Sequence, residues 1–210
     1  MSELKSPFRY DFVGSFLRPH ALKEARAQYK AGAIDRAALT AVENEEITRL
    51  IEKQKRAGFH AITDGEFRRS YWHLDFMWGF EGIEHQKTVE GNTTFDAEAA
   101  MIDDTYLCGK VGLSKVHPFV EHFKFVKQFE DENTVAKQTI PAPAQFIEQM
   151  IMPFALENTS KYYDSTHKLA EDIANGYKKV IADLYDAGCR NLQLDDCSWG
   201  MLVDPRAEEL

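Results

Sequence analysis

Three times along this chain a short β-prone run stops on a turn that carries polar side chains. The stops are Gly14-Ser15, Asp64-Gly65-Glu66 and Asp195-Asp196-Cys197. Helical stretches lie between the runs, and a strand–helix–strand unit pairs its strands in parallel through a crossover. Parallel α/β folds assemble their sites at the carboxyl ends of strands. This alternation therefore constrains both the fold and the place to look for chemistry.

Read along the chain, residues 8–13 form a first strand running into Gly14-Ser15, and residues 21–30 are rich in helix formers until Gly32. Asp35 is placed to cap a second helix by accepting from free first-turn N–H groups. Leu39, Val42, Ile47, Leu50 and Ile51 follow near helical spacing, and Gly58 ends that helix. Residues 59–63 form the second strand. Tyr71, Trp72, Phe76, Trp78 and Phe80 form an aromatic-dense stretch, and residues 81–104 are polar and aperiodic. The stretch 71–104 reads as an excursion over a barrel mouth. Residues 105–116 predict a third strand, bent at Gly109 and Gly112. A helix follows around Phe119, Phe123, Val126 and Phe129.

Residues 134–140 predict a fourth strand stopped by Pro141-Ala142-Pro143, with a helix at 145–151. Residues 164–186 give the clearest helix, with Leu169, Ile173, Tyr177, Val180, Ile181 and Leu184 on one stripe. Residues 191–194 form the last strand. About five βα units result, against the eight of a closed barrel. The fold expectation is an α/β chain of the (β/α)8 TIM-barrel type, N-terminal part only, with residues 1–210 as one partial domain. A different open α/β sheet stays open as an alternative.

Composition narrows the function. With 44% hydrophobic and 28% charged residues over 210 positions, the chain is that of a folded domain. Its net charge of −9 offers no counterion release on nucleic acid, which excludes a general nucleic-acid role. No apolar run is long enough to span a bilayer, and the first five residues carry no signal-peptide core. A cytoplasmic location is the default. Cys108, Cys189 and Cys197 are odd in number and widely spaced, so they frame neither disulfides nor a zinc site.

At the strand ends, a carboxylate can hold an ammonium group, and a hydroxyl or N–H after glycine can hold a carboxylate. Together these suit an amino-acid ligand. Each residue also has a plainer reading. Ser15 can be a turn residue, Asp64 can fix its own turn, and one of Asp195 and Asp196 can pair with Arg68 or Arg69. Cys197 reads as a small buried residue, His60 and His73 as packing residues, and His117 as a turn residue. The aromatic stretch reads first as hydrophobic cover and second as a stacking surface for a planar ring.

Three segments carry a resemblance. They are Val13-Gly14-Ser15-Phe16-Leu17-Arg18-Pro19, Gly58-Phe59-His60-Ala61-Ile62-Thr63-Asp64-Gly65-Glu66-Phe67-Arg68-Arg69, and Leu192-Gln193-Leu194-Asp195-Asp196-Cys197-Ser198-Trp199-Gly200. In this order they resemble the catalytic C-terminal barrel of the cobalamin-independent methionine synthase family, and more closely its short single-barrel relatives. The resemblance implies that Ser15 contacts the carboxylate region of homocysteine or methionine. It implies that Glu66 contacts the amino acid and that Asp195 binds the amino group, so that the three converge on one pocket. Arg18, Asp196 and Trp199 are second-line candidates in the same segments.

The implied activity is methyl transfer from a methyl-tetrahydrofolate-like donor to the homocysteine thiol, giving methionine. The implied cofactor is zinc, whose ligands the resemblance puts downstream of residue 210, with none in this chain. Where larger members have Glu-Pro, this chain has Asp196-Cys197. That departure leaves open a related thiol alkyl or methyl transfer with another thiol substrate. A non-catalytic metabolite-binding role is the third reading. An unclosed barrel leaves strand edges bare, which favours homo-oligomers.

Overall fold

Two devices in the sequence set the first helices. Asp35 Oδ1 accepts from the Ala38 N–H at 2.8 Å, and Gly58 takes φ +83 to let the chain leave helix and enter strand. The computed structural model describes residues 12–86, 93–95, 98–100 and 104–199. Residues 8–11 of the predicted first strand lie outside them. In chain order the elements are α1 (His20–Lys30), α2 (Arg36–Arg56), β1 (Ala61–Ile62), α3 (Leu74–Met77), β2 (Glu81–Gln86), β3 (Thr93–Phe95), β4 (Glu98–Ala100) and β5 (Asp104–Gly112). There follow α4 (Pro118–Lys127), β6 (Val135–Ala136), β7 (Gln138–Pro141), α5 (Pro143–Ile151), α6 (Pro153–Thr159), α7 (Thr166–Asp186) and β8 (Leu192–Asp195).

The chain forms two compact units. The first comprises Met1–Ser70, Phe119–Thr139 and Leu184–Gln193; the second comprises Tyr71–Pro118, Ile140–Asp183 and Leu194–Leu210. In the first unit, Leu22 from α1, Leu39, Ile47 and Ile51 from α2, Ile62 from β1, and Phe119 and Phe123 from α4 are buried. β1 pairs in parallel with β6, Ala61 opposite Val135 and Ile62 opposite Ala136. The Lys137 N–H donates to the Ile62 carbonyl at 2.8 Å, so the run past β6 continues toward β7. Ser15 bridges Gly65 in parallel. β7 is hydrogen-bonded to β8, and its donors advance along β8 in step, Gln138 to Asn191 and Ala142 to Asp195, as parallel strands require.

The core of the second unit is aromatic. Phe76 lies 5.3 Å from Phe80, 5.2 Å from Tyr177 and 4.5 Å from His117, and Phe80 lies 5.3 Å from Phe146. The close approach requires Gly176 on α7, since a Cβ there would stand 2.4 Å from the Phe80 ring. His117 corrects the expectation of a turn residue. It is fully buried, with Nε2 2.9 Å from the Phe76 carbonyl. The Ile181 position also departs from its predicted stripe, being 41% exposed while Leu169, Ile173, Tyr177 and Val180 are buried.

The predicted third strand corrects more. β5 pairs antiparallel with β2, from Glu81 opposite Gly112 to Gln86 opposite Asp104. β3 and β4 pair antiparallel as well. A parallel return needs a crossover connection, usually a helix, and among the described residues only β3 and β4 lie between β2 and β5. The stretch 105–116 is therefore half of a hairpin and supplies no βα unit. The architecture is α/β, with four two-stranded sheets and no closed barrel among the described residues.

Candidate functional site

In the first unit the chain brings Ser15, Arg18 and Glu66 to one turn. The Thr63 hydroxyl donates to the Gly14 carbonyl at 2.7 Å, and the Phe16 N–H donates to the Gly65 carbonyl at 3.1 Å. Residues 14–16 thus lie along 63–65. Gly14 takes φ +124, and a Cβ on it would meet Thr139 Cγ2 at 2.8 Å, so only glycine lets the segment approach β7. Ser15 itself is exposed.

The turn that follows is left-handed at two successive residues, Gly65 at φ +68 and Glu66 at φ +60. A non-glycine residue there is held at a cost of order 1–3 kcal/mol. Asp64 Oδ1 accepts from the Glu66 N–H at 2.8 Å, so this carboxylate fixes its own turn. Arg18 Nη2 donates to the Arg69 carbonyl at 2.6 Å and the Glu66 carbonyl at 3.3 Å. Arg26 Nη2 donates to the Phe67 and Arg69 carbonyls, each at 2.8 Å.

Glu66 is 5% exposed, and its carboxylate sits in a ring of hydrogen bonds. Arg69 Nη1 donates to Glu66 Oε1 at 3.0 Å, and the Thr139 hydroxyl donates to the same oxygen at 3.1 Å. Arg69 Nη2 donates to the Thr139 carbonyl at 2.6 Å and to its hydroxyl at 2.9 Å. Arg68 pairs elsewhere, with Nη1 3.2 Å from the fully buried Glu43, which Arg36 also reaches at 2.9 Å. Each of the two arginines thus has a glutamate partner within the first unit.

Arg69 and Thr139 were not singled out as site residues from the sequence. The visible signal was three polar residues in succession, Lys137, Gln138 and Thr139, in a run otherwise fit for a buried strand. All three are at most 4% exposed. Lys137 Nζ reaches Gln193 Oε1 at 2.9 Å and the Phe12 carbonyl.

Asp195, Asp196 and Trp199 belong to the second unit. Asp195 closes β8, half-buried, and its carbonyl accepts from the Ala142 N–H at 2.7 Å. Asp196 is exposed and accepts from the Ser198 hydroxyl at 2.6 Å and its N–H at 2.8 Å. The Ser198 hydroxyl, then its backbone N–H, hold the Asp196 carboxyl below the usual carboxylate range. Cys197 is exposed, correcting the buried reading, and its thiol donates to Gln145 Oε1 at 2.8 Å. Asp196, Ser198 and Trp199 border a cleft of about 350 Å³ with Ala144, Ile147, Glu148 and Ile151. Burial, with the nearby Asp196 charge, pushes the Glu148 carboxyl up, against a bond from Gln145.

Among the described residues, no group of three or more His, Cys, Asp and Glu side chains gathers to hold a metal ion. The zinc implied by the resemblance therefore finds no fit in them, and no chemical step is derived through it. No helix among the described residues is long and apolar enough to cross a membrane.

Against known proteins, residues 10–90 match the family model of the cobalamin-independent synthase catalytic domain. The uncharacterized protein YxjH of Bacillus subtilis is 40% identical over 211 residues, covering 98% of this chain and 52% of that protein. A methionine synthase of Saccharolobus solfataricus is 24% identical over 200 residues, covering 90% of this chain and 55% of that protein. A solved structure from Listeria monocytogenes, assigned to the vitamin-B12 independent methionine synthases, superposes with a TM-score of 0.75 at 38% identity. It covers 96% of this chain and 56% of that one. The chain spans about half the length of the curated relatives it matches. Its sequence, and its fold over nearly its whole length, place it in the cobalamin-independent methionine synthase family.

Proposed function

We propose that this chain binds a sulfur amino acid, homocysteine or methionine, as part of a methyltransferase of the cobalamin-independent methionine synthase type. The donor in this reading is a methyl-tetrahydrofolate-like compound and the acceptor is the homocysteine thiol. The observation that carries it is the Glu66 carboxylate, buried at a strand end and held by Arg69 and Thr139 at 3.0 and 3.1 Å. A carboxylate fixed in this way is suited to an ammonium group. Exposed Ser15, after a glycine, is assigned the substrate carboxylate, Glu66 the amino acid and Asp195 the amino group. Arg18, Asp196 and Trp199 stand behind them.

The chain is read as the N-terminal part of a (β/α)8-type barrel over residues 1–210, with 71–104 as its excursion. The likeness to the Listeria monocytogenes structure supports this reading. The cytoplasm is its proposed location and a homo-oligomer its proposed state. Zinc enters only as a family expectation, with ligands outside the described residues. A second reading, transfer to another thiol substrate, is favoured by Asp196-Cys197 standing where larger members have Glu-Pro.

Calorimetry with homocysteine and with methionine, each with and without added zinc, tests the first reading. Binding of either amino acid is expected, and Glu66→Gln is expected to weaken it about 10–100-fold through loss of a charge-assisted bond. Absence of binding heat with both amino acids in excess would overturn the assignment. Binding of an unrelated thiol in their place would favour the second reading.

A further inference from the structure

We propose that Arg69 is a positioning residue, which acts on the ligand only through Glu66; the proposal rests on the reading of Glu66 as an amino-acid contact. Arg69 is 1% exposed, and its guanidinium carbon lies 4.5 Å from the centre of the Phe119 ring. One nitrogen donates to Glu66 Oε1 and the other to both oxygens of Thr139. A guanidinium has only donors, so the Thr139 hydroxyl accepts from Arg69 and must turn its single proton to Glu66 Oε1. The ring of bonds therefore has one polarity. Both donors converge on Oε1 and fix its direction.

The backbone under the guanidinium is anchored as well. Arg18 and Arg26 both donate to the Arg69 carbonyl, at 2.6 and 2.8 Å, and the Arg69 N–H donates to the Glu66 carbonyl at 3.0 Å. The carboxylate is thus oriented by a fork that is itself fixed at both ends. A lysine would keep the charge and lose the fork, because an ammonium cannot present two rigid parallel donors. Loss of the fork would remove one of the donors that orient the Glu66 carboxylate.

A double-mutant cycle on the full chain reads this directly, with methionine as the probe. Arg69→Met alone is expected to weaken binding about as much as Glu66→Gln, roughly 10–100-fold. In the Glu66→Gln background the same change should cost no more than about 2–3-fold, since sites that act through one another are not additive. Arg69→Lys is expected to fall between wild type and Arg69→Met, and Thr139→Val to weaken binding less than either. Equal losses from Arg69→Met in both backgrounds, or normal binding by Arg69→Met, would overturn the proposal. If Arg69→Met does not fold, Arg69→Lys and Thr139→Val complete the cycle and are judged by the same additivity.

Thermal unfolding of the same proteins separates this proposal from the reading it rests on. If wild type binds no methionine, the amino-acid reading fails. Non-additive Tm losses would still uphold the Arg69–Glu66 coupling, and additive losses would overturn it too.

Discussion

Gly65 carries more conformational demand than any neighbour. It takes φ +68, and a Cβ on it would stand 2.3 Å from Leu50 Cδ2 and 3.0 Å from the Phe67 ring. Gly65→Ala meets both a left-handed backbone and an occupied space. A loss of about 2–3 kcal/mol in urea unfolding is expected, and an unchanged midpoint would show the turn to be relaxed. At this scale the sequence exposed half of the arrangement. Ser15, Asp64 and Glu66 were legible because glycines and acids after short strands mark turns with polar tips. Arg69 and Thr139 were not. Nothing local says that a guanidinium three residues after Glu66 will curl back onto it, or that a hydroxyl 73 residues later will meet the same oxygen. The Arg68 partner Glu43 was equally invisible locally, since it comes from the middle of α2.

The longer helices were legible as elements because their apolar periods repeat over several turns, whereas the short α3 and α6 were not. α2 and α7 each run 21 residues and end before glycines at φ +83 and +94. Ile181 fell off the stripe because it is one residue, about 100° of rotation, past buried Val180. Strand identity was harder. β5 looked like a barrel strand because its own residues suit one, while its partner β2 is mostly exposed and shows no apolar period. The one-turn helix α3 adds a pH response. His73, which precedes it, has a buried Nδ1 without a hydrogen-bond partner, and burial lowers its pKa from 6.5 to about 4. Protonation is therefore easier in the unfolded chain. This contribution to stability is complete above pH 6.5 and is lost as pH falls from 6.5 through 4. It is on the order of 2 kcal/mol at this half-buried ring. Urea unfolding of wild type and His73→Phe at pH 7 and pH 4.5 checks it. The variant should lose less stability on acidification, and an equal loss would assign the acid sensitivity elsewhere.

At the scale of the whole molecule, exposed apolar side chains bear on association. In the first unit a cleft of about 410 Å³ is walled by Phe16, Leu17, Leu50, Phe59 and Phe67, with Glu46, Arg49 and Lys53 among its polar borders. Leu17 is 97% exposed and Val13 66%. Apolar side chains grouped in this way favour association. The chain alone is expected to self-associate as its concentration rises, and Leu17→Glu to shift it toward monomer. Light scattering coupled to size exclusion checks both, and a wild-type monomer with a sharp melt would contradict the expectation. The α/β class was legible from the alternation of strands and helices. The count of barrel units was not, because one apparent strand belongs to a hairpin and because pairing partners are invisible in a single sequence.

The ring around Glu66 also has a history in time. Thr139 leaves the ribosome 73 residues after Glu66, so the nascent chain first displays Glu66 and Arg69 without the Thr139 hydroxyl. Helices α1 and α2 have long been available by then, since their contacts are local and quick to form. On the proposed reading the Glu66 site is therefore complete only after β7 has emerged, and a stalled or clipped product ending before β7 would lack the Thr139 hydroxyl that holds the Glu66 carboxylate.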